Sequence, residues 1–147
     1  MLLDYRTKLT PERVKHFDAI KEVLVSIEPE VTQLLANHRR LSKRWFAHEI
    51  VPWGEGRDFV TEPWTPEQCQ LSPEVVMALE TNLLTEDNLP YYHAQIQEMV
   101  DRNSIWQDWN RLWTAEEGGH AAALRDYLYL KRVQDPEIIE RNRTRLR

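Results

Sequence analysis

The chain has 147 residues, of which 41% are hydrophobic, 29% are charged and only 4 are glycine. This composition predicts a globular helical domain and argues against the turn-rich chains of β-sandwiches and barrels. The net charge of -5 argues against nucleic-acid binding, which needs a surplus of lysine and arginine. We therefore expect residues 1–147 to form a single all-α domain that does not bind nucleic acid.

The expected compartment follows from the cysteine content and from the distribution of apolar residues. Cys69 is the single cysteine of the sequence, and the first residues lack the basic and apolar regions of a signal peptide. No apolar run approaches the ~20 residues that cross a bilayer. We therefore expect a cytoplasmic protein without a membrane span.

The first predicted helix begins at Thr10, which caps it, and Pro11 occupies the first helical position. An apolar stripe with alternating steps of three and four residues then predicts a long amphipathic helix. The stripe comprises Phe17, Ile20, Leu24, Ile27, Val31, Leu34, His38, Leu41 and Trp45. Pro29 should kink this helix or divide it, because proline removes a backbone donor and clashes with the preceding turn.

Residues 46–73 lack helical periodicity and are rich in proline, glycine and aromatic residues. The aromatic side chains predict a long loop that is packed down by its own residues. Loops of this length within compact domains are usually functional or ordered by such packing. Its aromatic members are Trp53, Phe59 and Trp64.

Three further helices are predicted after this loop. Ser72 caps the second helix, which carries Glu86 on its apolar stripe and should be kinked at Pro90. Ser104 begins the third helix, in a capping-box pattern with the glutamine three residues later. Asp135 precedes a proline and begins a short fourth helix.

The third helix carries Glu117 and His120, whose spacing of three residues places both side chains on one helix face. Four-helix carboxylate proteins build di-iron sites from two such pairs and from one lone glutamate on each of two other helices. If the second and third helices form an antiparallel hairpin that turns near residue 103, Glu86 lies 17 residues before the turn, and Glu117 and His120 lie 14 and 17 residues after it. At ~1.5 Å per residue, all three lie within about one turn of the same height.

A lone Glu-x-x-His pair is common by chance, and an acidic residue on an apolar stripe can also lie at a solvent-exposed helix edge. Buried glutamates, however, need a charge partner, and a metal ion is the simplest one. Oxygen and imidazole ligands without thiolate suit iron or manganese, and zinc stays open. We predict that Glu86, Glu117 and His120 are metal ligands, with no catalytic residue beyond them.

Three segments extend this pattern into a family resemblance. Residues 45–53 form an aromatic segment, residues 84–92 surround Glu86, and residues 109–130 contain Trp-Thr-Ala-Glu-Glu-x-x-His followed by Tyr-Leu-Tyr-Leu. These segments resemble the soluble acyl-carrier-protein desaturases of plastids and bacteria, also called stearoyl-ACP-desaturase-like proteins. The resemblance covers most of residues 26–140.

The resemblance implies the N-terminal half of a ferritin-like di-iron helical bundle. Glu86 would be the terminal carboxylate of the first iron, His120 its terminal imidazole and Glu117 a bridging carboxylate. Such an enzyme introduces a double bond into a fatty acyl chain on acyl carrier protein. It uses O2 and electrons from a ferredoxin-like donor, and the iron pair supplies the oxidising power.

The sequence departs from the family pattern in two ways. Gly118 and Gly119 stand where family members usually carry bulky residues, and each glycine costs about 1 kcal/mol in a helix interior. This pair would either permit close packing of another helix or loosen metal ligation. Family members also continue with a second lone glutamate and a second Glu-x-x-His pair, which residues 121–147 do not supply.

Three interpretations follow from these departures. The chain is the N-terminal portion of a desaturase that needs a missing C-terminal half, or it is a half-bundle that completes its metal site by homodimerisation. The third interpretation is a non-catalytic remnant or interaction protein. The sequence also leaves open the acyl length and whether desaturation or another di-iron oxidation takes place.

Overall fold

The computed structural model describes residues 10–145, and this range contains helices and no strand. The α-helices are α1 (Pro11–Ser26), α2 (Glu28–Leu41), α3 (Ala47–Ile50), α4 (Pro73–Asp87), α5 (Leu89–Met99), α6 (Ile105–Leu130) and α7 (Pro136–Arg145). The predicted all-α class is therefore confirmed. Within residues 10–145, none of these helices combines the length and the apolar character needed to cross a membrane.

The chain divides into two compact units. Among the described residues, the first unit contains residues 10–42 together with His93–Leu112, and the second contains Lys43–Tyr92 and residues 113–145. Helices α5 and α6 each contribute residues to both units. The expectation of a single domain stays a prediction.

In the first unit, the two predicted features of the N-terminal helix are present. The Thr10 hydroxyl accepts a hydrogen bond from the Arg13 backbone N–H at 3.4 Å. Helix α1 ends at Ser26, and α2 begins two residues later with Pro29 in its first turn. The prediction that Pro29 divides this helix is confirmed.

The second half of the predicted apolar stripe is confirmed at Val31 but is wrong at Leu34 and Leu41. Helix α2 buries Val31 and Leu35, whereas Leu34 and Leu41 are 67% and 64% exposed. Val31 and Leu35 are four residues apart on one helix face, and the predicted step of three residues selected the exposed neighbour of Leu35. Helix α2 also ends at Leu41, before Trp45, which lies outside any helix.

Two buried amide side chains of α6 bind the backbone of α5 in the first unit. The side-chain amides of Gln107 and Asn110 donate to the carbonyl oxygens of Gln97 and His93 at 3.1 and 3.0 Å. A buried amide side chain is stable only when it is hydrogen-bonded. These two hydrogen bonds therefore account for the burial of Gln107 and Asn110 between the two helices. The predicted capping box at Ser104 is incomplete, because the Gln107 side chain binds α5 and not the cap.

The second unit contains an apolar core that joins α4, α6 and α7. Leu83, Leu128, Val133 and Ile139 are each at most 3% exposed and form one cluster. Helix α4 ends at Asp87, and α5 begins at Leu89 with proline as its second residue. The predicted interruption at Pro90 is therefore confirmed, and it falls directly after the turn that carries Glu86.

The predicted loop over residues 46–73 contains the short helix α3 and two 3-10 turns, Trp53–Glu55 and Pro66–Gln68, and otherwise lacks regular secondary structure. Its anchor is Arg132, which is 1% exposed and has a left-handed φ of 50°. The Arg132 guanidinium donates to Gln68 at 2.6 Å and lies 4.1 Å from the centre of the Phe59 ring. The Trp64 indole donates to the Arg132 carbonyl at 2.9 Å. As predicted, aromatic residues of the loop hold it in place, and Phe59 and Trp64 do so by packing around Arg132.

Candidate metal centre

The last turn of α4 and the middle of α6 bring Glu86, Glu117 and His120 together in the second unit. One possible ligand atom from each side chain lies within 4.8 Å of the other two. The sequence-based expectation that two helices place these residues at one height therefore agrees with their positions. Whether they bind a metal ion is a separate question of geometry and charge.

The imidazole is oriented with Nδ1 towards both carboxylates. His120 Nδ1 lies 2.5 Å from Glu117 Oε2 and 3.8 Å from Glu86 Oε1. The shorter contact is a hydrogen bond between the imidazole and a carboxylate one helical turn earlier, which the spacing of three residues permits. Nδ1 is therefore the atom of His120 that can join the carboxylate oxygens as a ligand.

The charge balance of the group favours a cation. Burial raises the pKa of Glu86 above its usual value, the negative charge of Glu117 raises this pKa further, and His120 acts in the opposite direction. The side chains of Glu86 and Glu117 are 25% and 24% exposed, so water screens their repulsion only in part. A divalent cation between the two carboxylates would favour the ionised form of both.

The donor set also fits a transition-metal ion. Two donors on one ion, at ~2.1 Å each, lie roughly 3 to 4 Å apart. The 3.8 Å separation between His120 Nδ1 and Glu86 Oε1 lies at the upper end of this range, and separations of up to 4.8 Å within the group require side-chain rotations before all three donors reach one ion. The hydrogen-bonded contact to Glu117 must lengthen by a small side-chain rotation, because the ion replaces the shared proton. Two oxygens and one imidazole nitrogen without thiolate suit iron or manganese.

Trp45 covers one face of the His120 ring. The two rings are stacked with centroids 5.5 Å apart and an angle of 18° between their planes. A Cβ atom at Gly119 would lie 3.4 Å from this indole, whereas one at Gly118 would meet no heavy atom within 4 Å. This is ordinary van der Waals contact, so neither glycine is required for packing, and the expectation that the pair permits close packing of another helix stays a prediction.

Sequence reasoning missed this role of Trp45, because it assigned the residue to a helical stripe. A signal was present in the sequence, where small residues flank a candidate ligand on α6. Such small residues leave room on the helix surface for a large side chain, although Gly119 is not required for the contact with Trp45.

Known proteins similar to this chain are acyl-carrier-protein desaturases. The profile of the fatty acid desaturase family matches residues 19–147. A protein of Mycobacterium tuberculosis named acyl-(acyl-carrier-protein) desaturase DesA1 is 38% identical over 125 residues, which are 83% of this chain and 37% of that protein. The chloroplastic stearoyl-(acyl-carrier-protein) 9-desaturase 6 of Arabidopsis thaliana is 36% identical over 98 residues, which are 62% of this chain and 25% of that protein.

The X-ray structure of the acyl-ACP desaturase DesA2 from Mycobacterium tuberculosis has a similar fold. It superposes with a TM-score of 0.60 at 31% identity and covers 81% of this chain and 44% of that one. This chain thus spans less than half the length of each of these relatives. By its sequence over residues 19–147 and by its ferritin-like helical fold, the chain belongs to the fatty acid desaturase family.

Proposed function

We propose that this chain provides the first ligand set of a di-iron acyl-ACP desaturase. The observation that carries the proposal is the convergence of Glu86, Glu117 and His120 from two helices, with ligand atoms within 4.8 Å of one another. The family relationship supports this chemistry, because the relatives are named as acyl-carrier-protein desaturases. The substrate class is then a fatty acyl chain on acyl carrier protein, and the electron donor is ferredoxin-like.

Each side chain has a role in this proposal. Glu86 and His120 would hold the first iron, and Glu117 would hold it together with the second. When bound, the iron pair supplies the oxidation by O2 that introduces the double bond. Trp45 keeps water from one face of the His120 imidazole and restricts its rotation, since the rings are stacked. A ligand that is oriented before the metal binds loses less conformational entropy on binding.

Three donors do not complete the coordination of two ions. The resemblance implies a second lone glutamate and a second Glu-x-x-His pair, and we propose that further polypeptide supplies them, either in the same protein or in a separate one. In this chain His120 is 43% exposed, so the group is accessible to additional ligands.

The exposure of His120 also supports a second candidate. Two copies related by a two-fold axis would contribute two each of Glu86, Glu117 and His120, which together form a complete ligand set. In this case the metal centre would be an interface between identical chains.

Anaerobic Fe(II) titration with iron counting and a mass measurement in solution tests both candidates. About one iron bound to a monomeric chain supports the first ligand set, and about two irons in a homodimer support the half-bundle. No bound iron in any oligomeric state contradicts the half-bundle and leaves either a fragment that needs its C-terminal half or a remnant or interaction protein. Desaturation of an acyl-ACP substrate after addition of a candidate C-terminal half would support the activity.

A pair of variants assigns the iron to this group. Glu117→Ala should weaken iron binding by at least about 100-fold, because it removes the proposed bridging ligand. Glu116→Ala removes the neighbouring carboxylate, which lies outside the group, and should retain the affinity of the parent chain. Equal affinities of the two variants would rule out the proposed site.

A further inference from the structure

Asp87, the residue directly after Glu86, is held by an arginine of α7. The Arg143 guanidinium donates from Nε to Asp87 Oδ2 at 2.5 Å and from Nη2 to Asp87 Oδ1 at 3.0 Å. The two side chains are only 13% and 14% exposed. Two parallel hydrogen bonds between planar groups fix both distance and orientation, and limited exposure to water strengthens them.

Arg143 is itself held in place from α6, the helix that carries Glu117 and His120. Its Nη1 donates to Glu140 Oε1 at 2.7 Å, and the same carboxylate accepts a hydrogen bond from the Tyr129 hydroxyl. Burial and this contact raise the pKa of Tyr129 to about 12, so the hydroxyl keeps its proton. Asp87, Arg143, Glu140 and Tyr129 thus form a continuous polar network, which we call the α7 network.

The α7 network contacts the C-terminal end of α4 through Asp87. Helix α4 ends at Asp87, and Asn88 interrupts the helix before α5 begins. The last turn of a helix has carbonyl groups without intrahelical partners and tends to fray. Glu86 lies in this turn, so fraying would move its carboxylate relative to Glu117 and His120. Ile139 of α7 packs in the core with Leu83 of α4, which gives the network a rigid base.

We propose that Arg143 is a positioning residue for the metal site, and that it acts through Asp87 to hold the Glu86 carboxylate in register with Glu117 and His120. This inference rests on the metal site proposed above. Its role is distinct from that of a ligand, because the Arg143 guanidinium binds the neighbouring carboxylate of Asp87. Loss of the contact should therefore change the affinity and geometry of the site without abolishing binding.

Co(II) binding to the full chain tests the positioning role, because the visible absorption of Co(II) reports its coordination geometry. Arg143→Gln should weaken Co(II) binding by about 10-fold and alter the spectrum, the low end of the effect expected for residues behind metal ligands. Arg143→Lys keeps the positive charge but cannot donate two parallel hydrogen bonds to Asp87. Its Co(II) affinity should therefore lie between those of the parent chain and Arg143→Gln. The matched control is Arg141→Gln, which removes an exposed pair with Glu137 on the same helix. If Arg143→Gln does not fold, Asp87→Asn weakens the same contact from its other side, and its Co(II) affinity and spectrum are measured in the same way.

Hydrogen exchange of the metal-free chain gives an independent readout. Arg143→Gln should speed exchange of the amides in the last turn of α4, and Arg141→Gln should not. Metal affinity and spectrum of Arg143→Gln equal to those of Arg141→Gln would overturn the positioning role while the metal site stands. Absence of Co(II) binding by the parent chain would instead overturn the metal site, and the exchange rates would then decide whether the α7 network fixes the end of α4.

Discussion

The helical pair α1 and α2 and the core formed by α4, α6 and α7 differ in how their apolar side chains are used. None of the α1 residues, all of which the structure describes, is buried, and α2 buries only Val31 and Leu35. In the other region, Leu83 and Leu128 are 1% and 0% exposed and lie in one cluster with residues of α7.

This difference matters because the candidate ligands lie on α4 and α6. A metal site needs ligands whose positions change little, and such positions occur where side chains are locked by packing. Segments with few buried apolar contacts open locally at a lower free energy than the core. We therefore expect α1 to exchange its amide hydrogens faster than the parts of α4 and α6 that carry the ligands.

The largest effect should come from deleting a leucine in the core. Leu83→Ala should lower the free energy of unfolding by about 2 to 5 kcal/mol, because it leaves a cavity between α4, α6 and α7. Leu34→Ala on α2 is the matched control and should change it by less than about 0.5 kcal/mol, because this side chain is 67% exposed. Urea unfolding measures both, and equal losses would contradict the difference between the two regions.

An intermediate effect is expected from the glycines between the candidate ligands. Gly118→Ala should raise the free energy of unfolding by about 1 kcal/mol, because alanine favours the helix and its Cβ meets no atom within 4 Å. Gly119→Ala should gain less, since its Cβ lies 3.4 Å from Trp45. Thermal unfolding of the two variants measures the difference, and a loss of stability in Gly118→Ala would show that the glycine is needed for another reason.

The smallest effect should come from Glu140. The hydrogen bond from Tyr129 and the contact with Arg143 lower the pKa of this carboxyl below 4.5. A lowered pKa in the folded state stabilises the protein above the unfolded-state pKa, and this contribution is lost as the pH falls through the folded-state value. Glu140→Gln should therefore reduce stability near neutral pH by less than about 1 kcal/mol, because the side chain is 51% exposed.

The pH dependence provides the check on this prediction. The difference in unfolding free energy between the parent chain and Glu140→Gln should narrow as the pH falls below 4.5. A constant difference across that range would show that the variant acts through packing and not through charge. Denaturant unfolding at several pH values gives this comparison.

Local sequence features predicted much of the fold and the candidate site. Thr10 caps α1 through its side chain, and Pro29 and Pro90 mark the helix interruptions, because these effects act within one turn. Ser72 precedes α4 as predicted but makes no side-chain capping hydrogen bond, so the predicted cap is wrong there. The three candidate ligands came from helical spacing and from the register of a hairpin. These inferences need only the geometry of single helices and of one turn.

Contacts between segments that are distant in the sequence could not be predicted from these local patterns. Arg143 and Asp87 are separated by 56 residues, so no spacing rule connects them. Leu34 and Leu35 are both apolar, and a spacing rule does not specify which of them is buried in α2. Trp45 could be placed against Gly119 only once the path of the chain after α2 was known.

The burial of Arg132 has a consequence for the order in which the chain folds. Its guanidinium binds Gln68 and the Glu62 carbonyl, which precede it by 64 and 70 residues. Closing a loop of this length costs entropy before any contact is gained, and contacts between distant residues slow folding. We therefore expect the segment between α3 and α4 to be ordered only after Arg132 has formed these contacts. During synthesis the contacts cannot form until Arg132 has left the ribosome, so we expect the aromatic side chains of this segment to be accessible to chaperones until then.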